Sequence, residues 1–441
     1  MEKIVVEGGT PLKGTVEVRG AKNAALPILF ATIMAGARCV IRGVPALKDV
    51  TTTLQILTKL GMRCERSQDG SILVEEDDPE CCTAPYEQVS EMRASVCTLG
   101  PLLARRKKAK VSLPGGCSFG LRPIDLHEKG LAALGADIRR EHGYIVAEAD
   151  ELRGATIYLG GAFGSSVLGT ANVMMAATLA RGTTVIEAAA CEPEIADLAR
   201  FLNAMGARIE GIGTPRLVIE GVRELGGAEH EVIPDRIEAG TFLIAAAITG
   251  GDVLVQGARI EHLTAVTDML RQAGLIISKE ADGIRVRTNG GFHPVDVTTL
   301  PYPGFPTDLQ AQMMALLSVA DGISVITEKI YPDRFIHISE LARLGANIRK
   351  EGPSAIIQGI ERLSGAPVMA SDLRASACLV LAGLVARGRT EINRVYHLDR
   401  GYERIEERLK ALGANIRRVN GRAPKRRALP PREPPVALRF S

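Results

Sequence analysis

The sequence predicts an α/β protein built from six repeated units, three in each of two domains. Two observations predict this. An apolar residue, a glycine and a small or apolar residue precede an extended stretch at Gly61, Gly135, Gly206, Gly274, Gly345 and Gly413, separated by 68 to 74 residues. Spacing this regular along a 441-residue chain marks one supersecondary unit repeated end to end. In five units a second glycine lies upstream, in GARCVIRGV, GTTVIEAAA, GDVLVQGA, GISVITEKI and GRTEINRVY, where it ends an Ala/Leu-rich helix and opens a strand. The second unit, around AKVSLPGG, lacks it.

Each unit therefore reads as helix, glycine stop, strand, loop, second helix, Gly-Ala stop and further strands, giving mixed sheets. The first helices begin near KNAALP at Lys22, MRASVC at Arg93, SSVLGTAN at Ser165, RIEAGTF at Glu238, PTDLQAQ at Asp308 and LRASAC at Arg374. The strand-like segment KIVVEGG to VEVRG precedes all of them, so residues 1–21 are assigned to the second domain as partner of the last unit. The first domain is expected at 22–233 and the second at 1–21 plus 234–421, with the boundary near Val232 to Pro234. The Pro- and Arg-rich stretch 422–441 has no periodic pattern and reads as a disordered tail, with partner docking as the alternative.

Lys plus Arg number 54 against 51 Asp plus Glu, and a net charge of +3 excludes the broad basic field of a nucleic-acid-binding protein. The apolar run Ala24 to Ala37 contains Pro27 and is shorter than the roughly 20 residues of a membrane span. MEKIVVEGG has no secretory pattern, so a cytoplasmic location with reduced cysteines is expected. The eight cysteines form neither a C-x-x-C pair nor a Cys/His cluster, so no metal is expected.

Charged or polar residues recur at the starts of the first helices, whose free amides and positive dipole end suit anions. Asp308 after Thr307 fits an ordinary cap. Arg93 and Arg374 are poor dipole partners at a helix start, and an anionic ligand between them explains the repeated R-A-S. Cys117 sits in SLPGGCSFGLRPIDLH, where Gly115, Gly116 and Gly120 keep the thiol out of a core. Arg122 nearby favours its thiolate; a passive loop cysteine is the competing reading.

SLPGGCSFGLRPIDLH, GAKNAALP, MRASV, PDRIEAGTF, FPTDLQAQ, DLRASA and YHLDRGYERIE together resemble the UDP-N-acetylglucosamine enolpyruvyl transferase family, from about Met1 to Val419. The resemblance implies a two-domain inside-out α/β barrel with phosphoenolpyruvate and UDP-N-acetylglucosamine as substrates, no cofactor, and a role in peptidoglycan precursor synthesis. It implies that Cys117 donates a proton to the methylene carbon and is the target of fosfomycin. Lys22, Arg122 and Arg400 match cationic ligands of phosphoenolpyruvate, with Arg93 close by, and Asp308 matches the base for the sugar hydroxyl. Asn23, the run Arg122, Pro123, Ile124, Asp125 and Leu126, and Ile330 match nucleotide-sugar contacts. Glu192, Asp235, Glu238, Arg334 and Arg374 match other family motifs, as direct contacts or as ion pairs holding the domains. His127 is either a substrate contact or an exposed helix-start residue.

One segment departs from the family pattern. LGGAFGSSVLGTAN is longer by about three residues and no lysine precedes it. Ser166 and Val167 align, whereas Leu168 falls where the family has glycine and is expected to crowd a pyrophosphate; Gly169 or the added glycines are the possible replacements. This keeps two alternatives open: a paralogue using another acceptor, and a catalytically silent relative. Cys117 argues against the shikimate-phosphate relative, which lacks the loop cysteine. The set Lys22, Cys117, Arg122, Asp308 and Arg400 argues against a silent one.

Overall fold

A computed structural model describes residues 2–113 and 124–420. Cys117, Arg122, Pro123 and the tail 422–441 lie outside the described residues.

Six four-stranded sheets repeat one pattern, in which one strand runs parallel to its neighbour and the next two run antiparallel. In the first unit Glu229–Glu231 lies parallel to Cys39–Arg42, followed by Ile72–Glu76 and Met62–Arg66. In the last unit the fourth strand in sequence is missing and Glu2–Glu7 takes its place, antiparallel to both Arg389–Asn393 and Asn415–Asn420. Lys13–Glu17 then runs parallel to Asp252–Gln256 of the fourth unit. Each set of three units thus closes into a ring, and the chain's first strands complete the second ring.

The repeated glycines punctuate these units as their chemistry demands. All six, from Gly61 (φ +77°) to Gly413 (φ +100°), hold the left-handed backbone that ends the second helix of the unit. Where the second unit lacks its upstream glycine, Lys107 adopts φ 59° and closes helix Leu99–Arg106 in the same way.

The first helices are apolar on every side. Residues 237–248 of helix Arg236–Ile248 and 374–384 of helix Leu373–Val385 are buried throughout, which suits helices enclosed by sheets rather than lying on them. One hydrophobic core runs from Ala21 to Ile233; another joins Ile4–Val18 to Ile237–Ile416. The helices sit at the centre of each lobe with the sheets outside.

Among the described residues two segments cross between the lobes, and they run side by side. Ala21 N–H donates to Ile233 O at 2.7 Å and Asp235 N–H to Arg19 O at 2.8 Å. Gly20 is required here, because a Cβ on it would stand 1.8 Å from the carbonyl oxygen of Gly43. Asp235 also caps helix Arg236–Ile248 through the amides of Ile237 and Glu238. Among the described residues no helix is long and apolar enough to cross a membrane.

Candidate active site

The ring arrangement aims the starts of all six first helices at one cavity of about 830 Å³ between the lobes. Lys22 and Asn23 open helix Lys22–Ala31, Arg93 opens the turn Arg93–Thr98, and Ser166 caps helix Val167–Ala177; all reach the wall. From the other lobe come Arg236, Asp308 and Arg374, also at helix starts, with Ile330, Arg334 and Arg400 from loops and turns. Helix dipoles and cations of one sign thereby converge on the same space, an arrangement suited to a polyanion.

Asp308 bridges two arginines. Its Oδ1 accepts from Arg334 Nη1 and its Oδ2 from Arg374 Nη2, both at 2.8 Å. Burial alone would raise its carboxyl, but Arg374 and Arg334 outweigh burial and hold it well below the usual carboxylate range. The Asp308 side chain keeps 27% exposure at the wall.

Asp49 was invisible to motif reading, because it lies in an unremarkable first turn, KDVTTTLQ. The structure places it between Lys22 Nζ at 3.2 Å and Arg400 Nε at 2.9 Å. Burial pushes its carboxyl up and the two cations pull it further down, leaving it below the ordinary value. Asp49 belongs to the first lobe and Arg400 to the second, so this ion pair spans the cavity. A second cross-lobe pair, Arg236 Nε to Glu194 Oε1 at 3.0 Å, stands at the same cavity beside Glu192, whose carboxyl burial raises.

Some expected residues lie elsewhere. Ile124, Asp125 and Leu126 do not wall the cavity: Ile124 joins the first core, Asp125 opens helix Asp125–Ala133, and Leu126 packs beside Gly169. Glu238 turns away to accept from the Arg19 amide and from Arg408. His127 is not exposed; it is 1% accessible and lines the cavity.

The longer segment before Ser166 forms a hairpin, Gly160–Gly161 against Gly164–Ser165. Its turn meets the opposite lobe, since a Cβ on Gly164 would lie 2.5 Å from Pro301 Cγ. Phe163 and Leu168 line the cavity, and the Gly169 amide is taken by Ser166 Oγ at 3.1 Å, so it is not a spare phosphate donor.

A family model described as EPSP synthase (3-phosphoshikimate 1-carboxyvinyltransferase) matches residues 6–409. This chain belongs to that family of enolpyruvyl transferases. Within the family it is 55% identical to the UDP-N-acetylglucosamine 1-carboxyvinyltransferase of Methylacidiphilum infernorum, over 95% of this chain and 99% of that one. It is 54% identical to the protein of the same name in Myxococcus xanthus, over 95% and 99%. Among solved structures, the enolpyruvyl transferase NikO from Streptomyces tendae has a TM-score of 0.86 at 24% identity, covering 96% of this chain and 99% of that one. EPSP synthase from Acinetobacter baumannii has a TM-score of 0.71 at 20% identity, over 95% and 100%. These establish the two-domain inside-out α/β fold of the enolpyruvyl transferase family.

Proposed function

We propose that this chain transfers the enolpyruvyl group of phosphoenolpyruvate to the 3-hydroxyl of UDP-N-acetylglucosamine with release of phosphate, the first committed step of peptidoglycan precursor synthesis, in the cytoplasm. The observation that carries this reading is the convergence of six helix starts and the cations Lys22, Arg93, Arg334, Arg374 and Arg400 on one interlobe cavity, in a chain closely similar to the named relatives over nearly its whole length.

The hydroxyl adds to the central carbon of phosphoenolpyruvate while the terminal carbon gains a proton. The tetrahedral intermediate then loses phosphate and a proton. Atoms balance with one acid and one base, and cations stabilise the departing phosphate. Cys117 takes the role of acid at the methylene carbon. Lys22, Arg122 and Arg400 hold the phosphate, with Arg93 beside them. Asn23, Ser166, Val167 and Ile330 receive the nucleotide sugar, and Asp308 takes the hydroxyl proton.

Between two guanidinium groups Asp308 is a weak base. An anionic substrate drawing on Arg374 and Arg334 offsets their pull and raises its basicity toward what proton abstraction requires. The two lobes act as domains that hinge at the paired crossing segments. The test is phosphate release from phosphoenolpyruvate with and without UDP-N-acetylglucosamine. Release that needs both supports the reading; no release from folded protein sinks it and turns attention to the Leu168 segment and another acceptor.

A further inference from the structure

His127 sits where its own helix Asp125–Ala133 packs on helix Val167–Ala177, which also packs on the turn Arg93–Thr98 and on helix Leu99–Arg106. Its partner there is Asn172, fully buried, whose Nδ2 lies 2.9 Å from His127 Nδ1. The orientation of that amide is not free. The Gly100 N–H can only donate, and it meets Asn172 Oδ1 at 2.8 Å; the Val96 carbonyl can only accept, and it meets Nδ2 at 2.8 Å. The same crowding requires Gly100, where a Cβ would stand 2.3 Å from the Asn172 carbonyl oxygen. The second hydrogen of Nδ2 therefore points at His127 Nδ1, which must present a lone pair.

We infer that Asn172 is a positioning residue that locks His127 as a neutral imidazole protonated on Nε2, so that its ring offers the cavity a fixed hydrogen-bond donor for an oxygen of the acceptor substrate beside Arg93. This rests on the transferase reading for the identity of the acceptor. Charge supports the same state: burial and then Arg93 lower the histidine to about 3. Helix Val167–Ala177 brings no charged residue to the ring, and on the histidine's own helix Glu128 is paired with Arg140 of strand Asp137–Glu141 and Lys129 donates to the Tyr158 carbonyl, leaving Asp125 as its other charge. A ring held neutral and protonated on Nε2 presents the same donor with no change of charge across the pH range, whereas a titrating histidine would gain a charge and lose the Nδ1 lone pair that Asn172 uses.

The test is Asn172→Asp in the full chain. Aspartate can still accept from Gly100 but has no hydrogen for Nδ1. Long-range proton–nitrogen spectra of histidine-labelled protein, with His127→Gln used for assignment, are expected to show an unchanging Nε2-protonated ring in the parent from about pH 6 to 8. The variant should move the proton to Nδ1 or bring the ring into titration. Half-saturation for UDP-N-acetylglucosamine should rise about tenfold, with that for phosphoenolpyruvate changed less than about twofold. A parent ring that titrates in this window, an unchanged ring in the variant, or an unaltered acceptor half-saturation overturns the inference. Should Asn172→Asp not fold, Asn172→Leu is expected to let the ring exchange between tautomers, and an unchanged spectrum overturns it equally. If the parent does not turn over UDP-N-acetylglucosamine, the transferase reading falls, while the nitrogen spectra still decide whether Asn172 sets the tautomer.

Discussion

Replacing Asp49 by Asn removes a carboxylate shared by Lys22 of one lobe and Arg400 of the other. The three side chains are 5%, 11% and 18% exposed. Removing one partner of a fully buried ion pair costs about 3–5 kcal/mol, because the remaining charge loses its compensation. Here both cations face the cavity, where solvent screens them, so about 2–3 kcal/mol is expected. Asp49 is held below its ordinary value, so its contribution is fully present above the unfolded carboxylate value and is lost only as pH falls through the lower folded one. The deficit should therefore be equal at pH 7 and at about pH 5, and close only below about pH 4. Urea unfolding is the assay, since guanidinium salts would screen the pair, and the midpoint should fall at constant slope. Equal midpoints for parent and variant at pH 7, or a gap already shrinking by about pH 5, would refute the bridge as a net stabiliser.

Two further outcomes are expected. Asp308→Ala should abolish turnover while retaining phosphoenolpyruvate binding, measured by calorimetry; unchanged turnover removes Asp308 as the base. Burial pushes the thiols of Cys64 and Cys97 up to about 11 and about 12 and also raises Cys39, Cys82, Cys191 and Cys378, while the hydrogen bond to Asp78 raises Cys81. Fosfomycin should therefore add to Cys117, faster with nucleotide sugar present, and peptide mass spectrometry finding the adduct elsewhere would contradict the assignment.

Much of the fold was legible because it rests on backbone rules that act locally. Each second helix stops and turns into a strand through a residue at positive φ, and glycine fills that position at all six ends, so the repeat appears in the spacing itself. Local legibility failed where another residue filled the same role, as Lys107 does at φ 59°. For the site, the helix-start residues Arg93 and Arg374 stood out because their charge contradicts the dipole rule. Asp49 and Asn172 did not, since an aspartate in a first turn and an asparagine within a helix are ordinary.

What the sequence determined alone, then, was the unit, its six-fold repetition, and the charge at the helix starts, all set by interactions among neighbours in the chain. The tertiary structure decided which of those charges meet. Ring closure through Glu2–Glu7 and Glu229–Glu231 brings six helix starts to one cavity. It also sets Asp49 against Arg400 across 351 positions of chain, and Asn172 against His127 across 45. Such pairs depend on burial and distance, which arise only when the lobes close, so their chemistry is not written in any local motif.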